Sequence, residues 1–428
     1  MFFLKRFNNF VKNQFNLAFK DKKLFSNFSY LTLNQLVNQI LPFIYFPYVA
    51  QILGPKNYGL ANYAVAIALY FSLITDFGFN FSSMRLVSIY RDDKDYLSKI
   101  LFGSLMAKIF LFGICTIVFG LLIIFMSDFR NESLLFLVAY FSVLGSVFNC
   151  YYFFQGIEKI KNYFFLSFLI RACSVVLIFF FVKRREDYVE FVFINSFSNF
   201  ILGAISFLIT LKLNNIKPLM PSFKFTFELL KDGARYFVNA ATINLYTASN
   251  AVILGFFSTK EEVGYFTAAD KIRAGIQGFL VPVSSAIFPR AAYLFSRDKK
   301  KGIDLVEKLK MRLWAIMFLL CLLVFIFSSS ICNLVLGSQF FKSVLPLKII
   351  AFAPFIISIS NIFGIQILLA VGRNDLFLKA TLTAAIFNII FASIFTRYYG
   401  AIASAISFLF SEIIVAFLCY FYSKKVLN

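Results

Sequence analysis

The chain is 428 residues long, 60% hydrophobic and only 15% charged, with a mean hydropathy of +0.79. A water-soluble surface needs charge throughout, so this composition excludes a soluble globular protein and points to an all-α integral membrane protein. The formal charge of +21 is scattered over short connections with no compact basic domain, so it reads as charge facing anionic lipid and not as a nucleic-acid surface. The chain has no histidine, which excludes a histidine-dependent triad, metal site or proton relay.

Residues 1–28 place Phe3, Phe7 and Phe10 at helical spacing among lysines, the pattern of a cytoplasmic amphipathic segment lying in the membrane interface. No small-residue cleavage site marks them as a removable signal. Twelve apolar stretches of membrane-crossing length follow, near 29–53, 60–82, 100–126, 133–155, 163–182, 189–211, 236–257, 274–292, 313–332, 348–371, 377–396 and 400–422. With the N-terminus inside, the inner segments carry 28 of the 42 Lys and Arg and the outer ones 11, leaving Lys108, Arg171 and Lys379 within spans. That bias puts both termini in the cytoplasm. The loop "KRRED" (183–187) is unusually basic for an outer connection and makes the boundary there suspect.

In span 1, Asn34 and Asn38, like Gln35 and Gln39, recur four residues apart and line one side of a helix facing protein or water. They are possible sugar contacts or interhelical hydrogen-bonding groups. Pro42 and Pro47 in span 1, and Pro282 and Pro289 in span 8, favour kinks. The acidic run "RDDKD" (91–95) is interleaved with basic residues and reads as a solvated loop, not a metal motif. The six cysteines are dispersed without a Cys-x-x-Cys pair and read as packing residues, and the 62 phenylalanines read mainly as lipid-facing and core surface.

The connection 212–235, with two prolines, divides the chain into lobes of six spans each, 29–211 and 236–422, followed by a cytoplasmic tail at 423–428. Ile-Leu-Gly recurs at 52–54 and 253–255, between the first two spans of each half, as a parallel repeat predicts. No P-loop is present and no connection is long enough to hold a catalytic domain, so an enzyme is not expected. A membrane-embedded polymerase or ligase would show a large outer loop, and the outer loops here are short.

The stretches "PFIYFPYVAQILGPKNYGLANYAVAI", "DFGFNFSSMRLVSIYRDD", "VGYFTAADKIRAGIQGFLVPVSSAIFPR" and "IQILLAVGRND" resemble the polysaccharide-biosynthesis flippases, the Wzx or O-antigen type. These share a superfamily with multidrug and toxin extrusion proteins and the lipid II flippase. The resemblance covers essentially the whole chain. It implies two six-helix bundles around a central cavity in a bacterial cytoplasmic membrane, and no cofactor. It also implies export of an oligosaccharide linked to undecaprenyl pyrophosphate, with other polysaccharide-assembly proteins as possible partners. A multidrug exporter is the alternative, but cationic drugs favour a carboxylate-rich cavity, whereas the charge surplus in these spans is basic.

The resemblance gives Arg171, alone within an apolar span, a physical reason. An arginine at mid-span costs about 2.5 to 3.5 kcal/mol and persists only against a polar cavity or a partner. A cavity admitting pyrophosphate is one such setting, because the guanidinium offers paired donors to phosphate oxygens. The alternatives are a salt bridge to another span or snorkelling. Lys108 in span 3, and Lys271 and Arg273 at the outer start of span 8, either extend this lining or anchor at the interface. Transport against a gradient requires a coupling ion, a proton or sodium, and the acids in or beside spans are few: Asp76, Asp270 and Glu412. Glu412 is the deepest, and its other reading is a buried partner for Arg171 or Lys379.

Overall fold

A computed structural model describes residues 22–213 and 216–427; most of the predicted amphipathic segment, residues 1–21, lies outside the described residues. The N-terminal half runs α1 (Lys22–Asp76), α2 (Phe79–Ile89), α3 (Lys94–Phe125), α4 (Ser127–Asn131), α5 (Ser133–Phe148), α6 (Tyr151–Gly156), α7 (Ile160–Phe181) and α8 (Tyr188–Leu213). The C-terminal half runs α9 (Phe223–Thr247), α10 (Ser249–Phe257), α11 (Lys260–Gln277), α12 (Leu280–Arg297) and α13 (Lys299–Leu336). After a 3-10 turn (Ser338–Ser343) come α14 (Val344–Ile350), α15 (Ala353–Ser360), a π-helix (Asn361–Leu369) and α16 (Asn374–Leu427). No strand occurs among the described residues.

Among the described residues eight helices are long and apolar enough to cross a membrane, or up to ten if each of two bent pairs is one span. The two longest cannot be straight. Phe46 and Tyr58 sit with ring centroids 6.0 Å apart, whereas twelve residues of straight helix would separate them by about 18 Å. Ser407 donates to the Asn388 carbonyl at 3.2 Å, where a straight helix would leave about 28 Å. Gly54 (φ 69°) and Gly400 (φ 50°) make these turns, in backbone conformations that L side chains resist. Each long helix is therefore a hairpin of two apolar arms, and every predicted span range overlaps one of these helices or arms.

Several local expectations change. The suspect loop at 183–187 hides no further helix: α7 ends at Phe181, α8 starts at Tyr188, and Asp187 closes the turn by accepting from the Lys183 and Arg184 amides at 2.7 and 2.8 Å. Span 8 begins earlier than predicted, at Lys260, so Lys271 and Arg273 lie well inside a helix and not at its outer start. In span 1 the backbone stays helical through Pro42 and Pro47. In α12 the bend of 41° falls between Ser285 and Ile287. Pro289 explains it, because its ring lacks the N–H that would bond the Ser285 carbonyl and crowds that group. The repeated Ile-Leu-Gly ends the first span of each half, but the glycines serve differently: Gly54 turns the chain, while Gly255 stays helical and leaves room for the Tyr63 ring, which a Cβ there would meet at 2.1 Å.

Two helical lobes result. In the first, α1 packs on α5 and α7, and α5 on α8; in the second, α16 packs on α9, α10 and the π-helix. The main seam between them is α1 against α11. Gly59 and Gly264 let these backbones touch: a Cβ on Gly59 would lie 1.8 Å from the Lys260 carbonyl oxygen, and one on Gly264 2.0 Å from that of Pro55. Large apolar side chains such as Phe110, Phe125 and Phe180 are exposed on the outer faces, as lipid contact requires.

Candidate functional site

The second lobe buries a charged group at mid-helix. On α11, Arg273 donates through Nε to Asp270 Oδ1 at 2.6 Å, and its second arm reaches Gln277. The guanidinium lies 4.6 Å from the centre of the Phe408 ring on α16. Glu412, one turn beyond Phe408 and 3% exposed, lies within electrostatic range of both Arg273 and Asp270. Among the described residues it has no hydrogen bond or ion pair. Its neighbouring cation is thus Arg273, not Arg171 or Lys379; Lys379 is exposed near the start of α16. Lys271, next in sequence to Asp270, has an exposed side chain, but its ammonium is crowded by surrounding protein and lies within electrostatic range of Asp270.

The first lobe places its cations differently. Arg171 on α7 is half-buried, donates to Ser167 Oγ one turn earlier at 3.4 Å, and its charge reaches the hydroxyls of Tyr45 and Tyr163. No carboxylate pairs with it among the described residues, so an interspan salt bridge does not account for it. Lys108 departs from both sequence readings. It is 1% exposed, and its Nζ lies 2.9 Å from Asp76 Oδ1, with the carbonyls of Ser146 and Asn149 at 3.3 and 3.4 Å. Asn80 takes the other Asp76 oxygen at 2.7 Å. Lys108 and Asp76 therefore tie α1, α3 and α5 together, leaving neither an open cation nor a free acid.

On α1, Asn34 is buried and Asn38 half-buried, and the side-chain carbonyl oxygens of both are shielded without a partner among the described residues. Two features escaped the sequence. Ser249 Oγ is bonded to Asn388 Oδ1 at 2.9 Å, while both side-chain polar atoms of the adjacent, fully buried Asn250 and the Ser404 hydroxyl have no partner among the described residues. Arg290 on α12 buries an unpartnered Nε. The signal was present as isolated polar residues in apolar runs, but which of them converge depends on the fold.

Of the run 91–95 only Arg91, Asp92 and Asp93 form the expected loop, because Lys94 and Asp95 already belong to the first turn of α3; Arg91 pairs with Asp92 and Glu158, and Asp93 caps α3 by accepting the Tyr96 amide at 3.0 Å. No group of three or more Cys, Asp or Glu able to hold a metal occurs among the described residues.

The bundle end that carries Gly54 is drawn together across the lobes. Lys260 Nζ lies 2.7 Å from Asp128 Oδ2 and 4.3 Å from the centre of the Tyr63 ring. Gln51 donates to the Val335 carbonyl at 3.0 Å, and Arg185 to Gln339 Oε1 at 3.2 Å. At the opposite end α9 leans on the first lobe, with Phe237 stacked on Phe77 at 4.7 Å.

Two helical lobes joined along one seam, with charge and unpaired amides held at membrane depth, define a multi-pass membrane protein with the architecture of a transporter. The chain belongs to the polysaccharide biosynthesis protein family, whose model matches residues 24–295. It is 29% identical over 389 residues to the "Putative O-antigen transporter" of Escherichia coli (strain K12), covering 91% of this chain and 94% of that one. To the protein of the same description from Shigella dysenteriae it is 28% identical, covering 88% and 94%. Among solved structures, an inward-facing multidrug resistance MATE family transporter of the MOP superfamily matches with a TM-score of 0.70 at 14% identity, over 90% of this chain and 94% of that one. The lipid II flippase MurJ, in an inward closed conformation, matches with a TM-score of 0.69 at 16% identity, over 94% and 87%. These likenesses bear out the fold and the family resemblance read from the sequence.

Proposed function

We propose that this protein moves lipid-linked polysaccharide repeat units, carried on undecaprenyl pyrophosphate, from the cytoplasmic to the outer leaflet of a bacterial inner membrane. The lobes, taken as 29–211 and 236–422, alternate access by rocking, with both termini in the cytoplasm. Family membership carries this reading, since relatives matching nearly the whole chain bear the description "Putative O-antigen transporter". The first lobe supports it with Arg171, a cation at membrane depth without a carboxylate partner among the described residues, suited to a diphosphate. Lys271, beside Asp270 on α11, adds a cation from the second lobe, and Asn34 and Asn38 offer amides to sugar hydroxyls. Glu412 is the coupling acid, exchanging a proton as Arg273 moves toward or away from it.

The test is the sidedness of lipid-linked oligosaccharide in membrane vesicles from cells with the protein, without it, and with Arg171→Ala at matched expression. Loss of the protein traps the glycan on the cytoplasmic face, and Arg171→Ala does likewise. Unchanged sidedness without the protein, in cells lacking any second flippase, would sink the proposal and make drug export the next test. Glu412→Gln at matched expression removes the response of translocation to an imposed pH gradient; a response equal to wild type would remove Glu412 from coupling.

A further inference from the structure

The second lobe carries a charged cavity that the transport reading does not use. At the bundle end holding Gly400, between the α10–α11 junction, the start of α14 and the turn of the α16 hairpin, lies a cavity of about 560 Å³. Lys342, Lys348 and Arg397 line it, against one acid, Glu262. That acid is already engaged: Glu262 Oε2 accepts the Ala401 amide at 2.7 Å, which fixes the Gly400 turn. None of the three cations has an ion-pair partner among the described residues. Three positive charges thus surround one opening with at most one negative charge to balance them.

The surroundings say what could balance the rest. Phe341, Tyr398 and Tyr399 line the same cavity and are 74%, 76% and 63% exposed. They stand where apolar helices end, the position of an interfacial aromatic belt, whose rings lie at headgroup depth. A second cavity of about 450 Å³ shares Phe341 and Val344 with the first and presents Ser329, Ser330 and Asn333, hydroxyl and amide groups suited to a polyol. Cations beside aromatic rings at the membrane boundary, next to a neutral polar groove, match an anionic lipid headgroup: phosphate on the cations, glycerol in the groove, acyl chains along the exposed apolar helices.

We infer that this cavity is a binding site for the phosphate of an anionic phospholipid headgroup. The inference does not depend on what the protein transports.

The test follows thermal unfolding of the purified full-length protein in phosphatidylcholine micelles titrated with phosphatidylglycerol, with added phosphatidylcholine and with inorganic phosphate as separate arms. Phosphatidylglycerol raises the midpoint saturably and phosphatidylcholine does not. In the variant Lys342→Gln, Lys348→Gln, Arg397→Gln the apparent affinity falls about a hundredfold, at roughly 1 kcal/mol per charge near a lipid surface. A control with the same charge loss elsewhere, Lys300→Gln, Lys308→Gln, Lys425→Gln, responds as wild type does. If inorganic phosphate alone reproduces the shift in wild type but not in the cavity variant, the phosphate site stands and its ligand comes from solution. A cavity variant that still melts normally in phosphatidylcholine and answers phosphatidylglycerol as wild type does overturns the inference, as does an equal loss in the control.

Discussion

At the scale of single residues, the fold separates charges that the sequence could only group. Lys108, Arg171, Lys271 and Arg273 look alike in a hydropathy plot, yet two of them are paired in the folded chain. Burying a lysine is costly unless its charge is matched, and Lys108 has Asp76 at 2.9 Å for that purpose. Asp76→Asn leaves an unmatched buried charge and is expected to destabilise by roughly 3 kcal/mol, the low end for a broken buried pair because Asp76 keeps 22% of its side chain exposed. The double variant Asp76→Asn, Lys108→Met removes both charges and recovers most of that loss. Thermal unfolding in detergent reads the stability, and the vesicle assay reads transport. Recovered stability with transport still lost would assign the pair a role in translocation, against the structural one argued above.

At the scale of elements, helix ends show how local chemistry fixes architecture. Asp298 caps α13: its Oδ1 accepts the amides of Lys300 at 3.0 Å and Lys301 at 3.3 Å, and the Lys301 ammonium lies 3.3 Å from Oδ2. The Lys301 amide, then its side chain, hold the Asp298 carboxyl below its ordinary value of 3.8. A carboxyl with a depressed folded-state value stabilises the fold fully above that ordinary value, and the contribution fades as pH falls through the lower one. Asp298→Ala is therefore less stable than wild type at neutral pH, and the gap narrows as melts are taken from about pH 6 to about pH 3. A gap constant with pH would show that the carboxylate charge contributes nothing to the cap. Elements of this kind were largely legible: long apolar runs gave the spans, and Gly54 fell between the first two of them, whereas Gly400 was counted into the last span and its turn was not read. Pairings between elements were not. That Glu412 answers Arg273 depends on α11 packing against α16, and no spacing along the chain encodes that contact. The bend in α12 was half legible, since Pro289 was visible but the carbonyl it deprives is known only once the helix is drawn.

At the scale of the whole molecule, the two lobes must part at one end for a rocking transporter to work, and the end at Gly54 is held shut in this structure. Backbone contact at Gly59 and Gly264 brings α1 and α11 together, and Lys260 and Asp128 close across the lobes beside it. The pair is only partly shielded, with Asp128 half exposed, so it contributes a modest amount and can open on the timescale of transport. Its value is as a reporter of separation. In a Cys173→Ser background, which removes the one exposed native thiol, Asp128→Cys with Lys260→Cys can be bridged by a short bis-methanethiosulfonate linker. The reduced double variant is expected to transport, the bridged form to stop, and a reductant to restore it. If the bridged protein moves lipid-linked glycan as fast as the reduced one, this end does not open during the cycle, and substrate must leave by a route that keeps Asp128 and Lys260 together, such as a lateral gap between helices of one lobe.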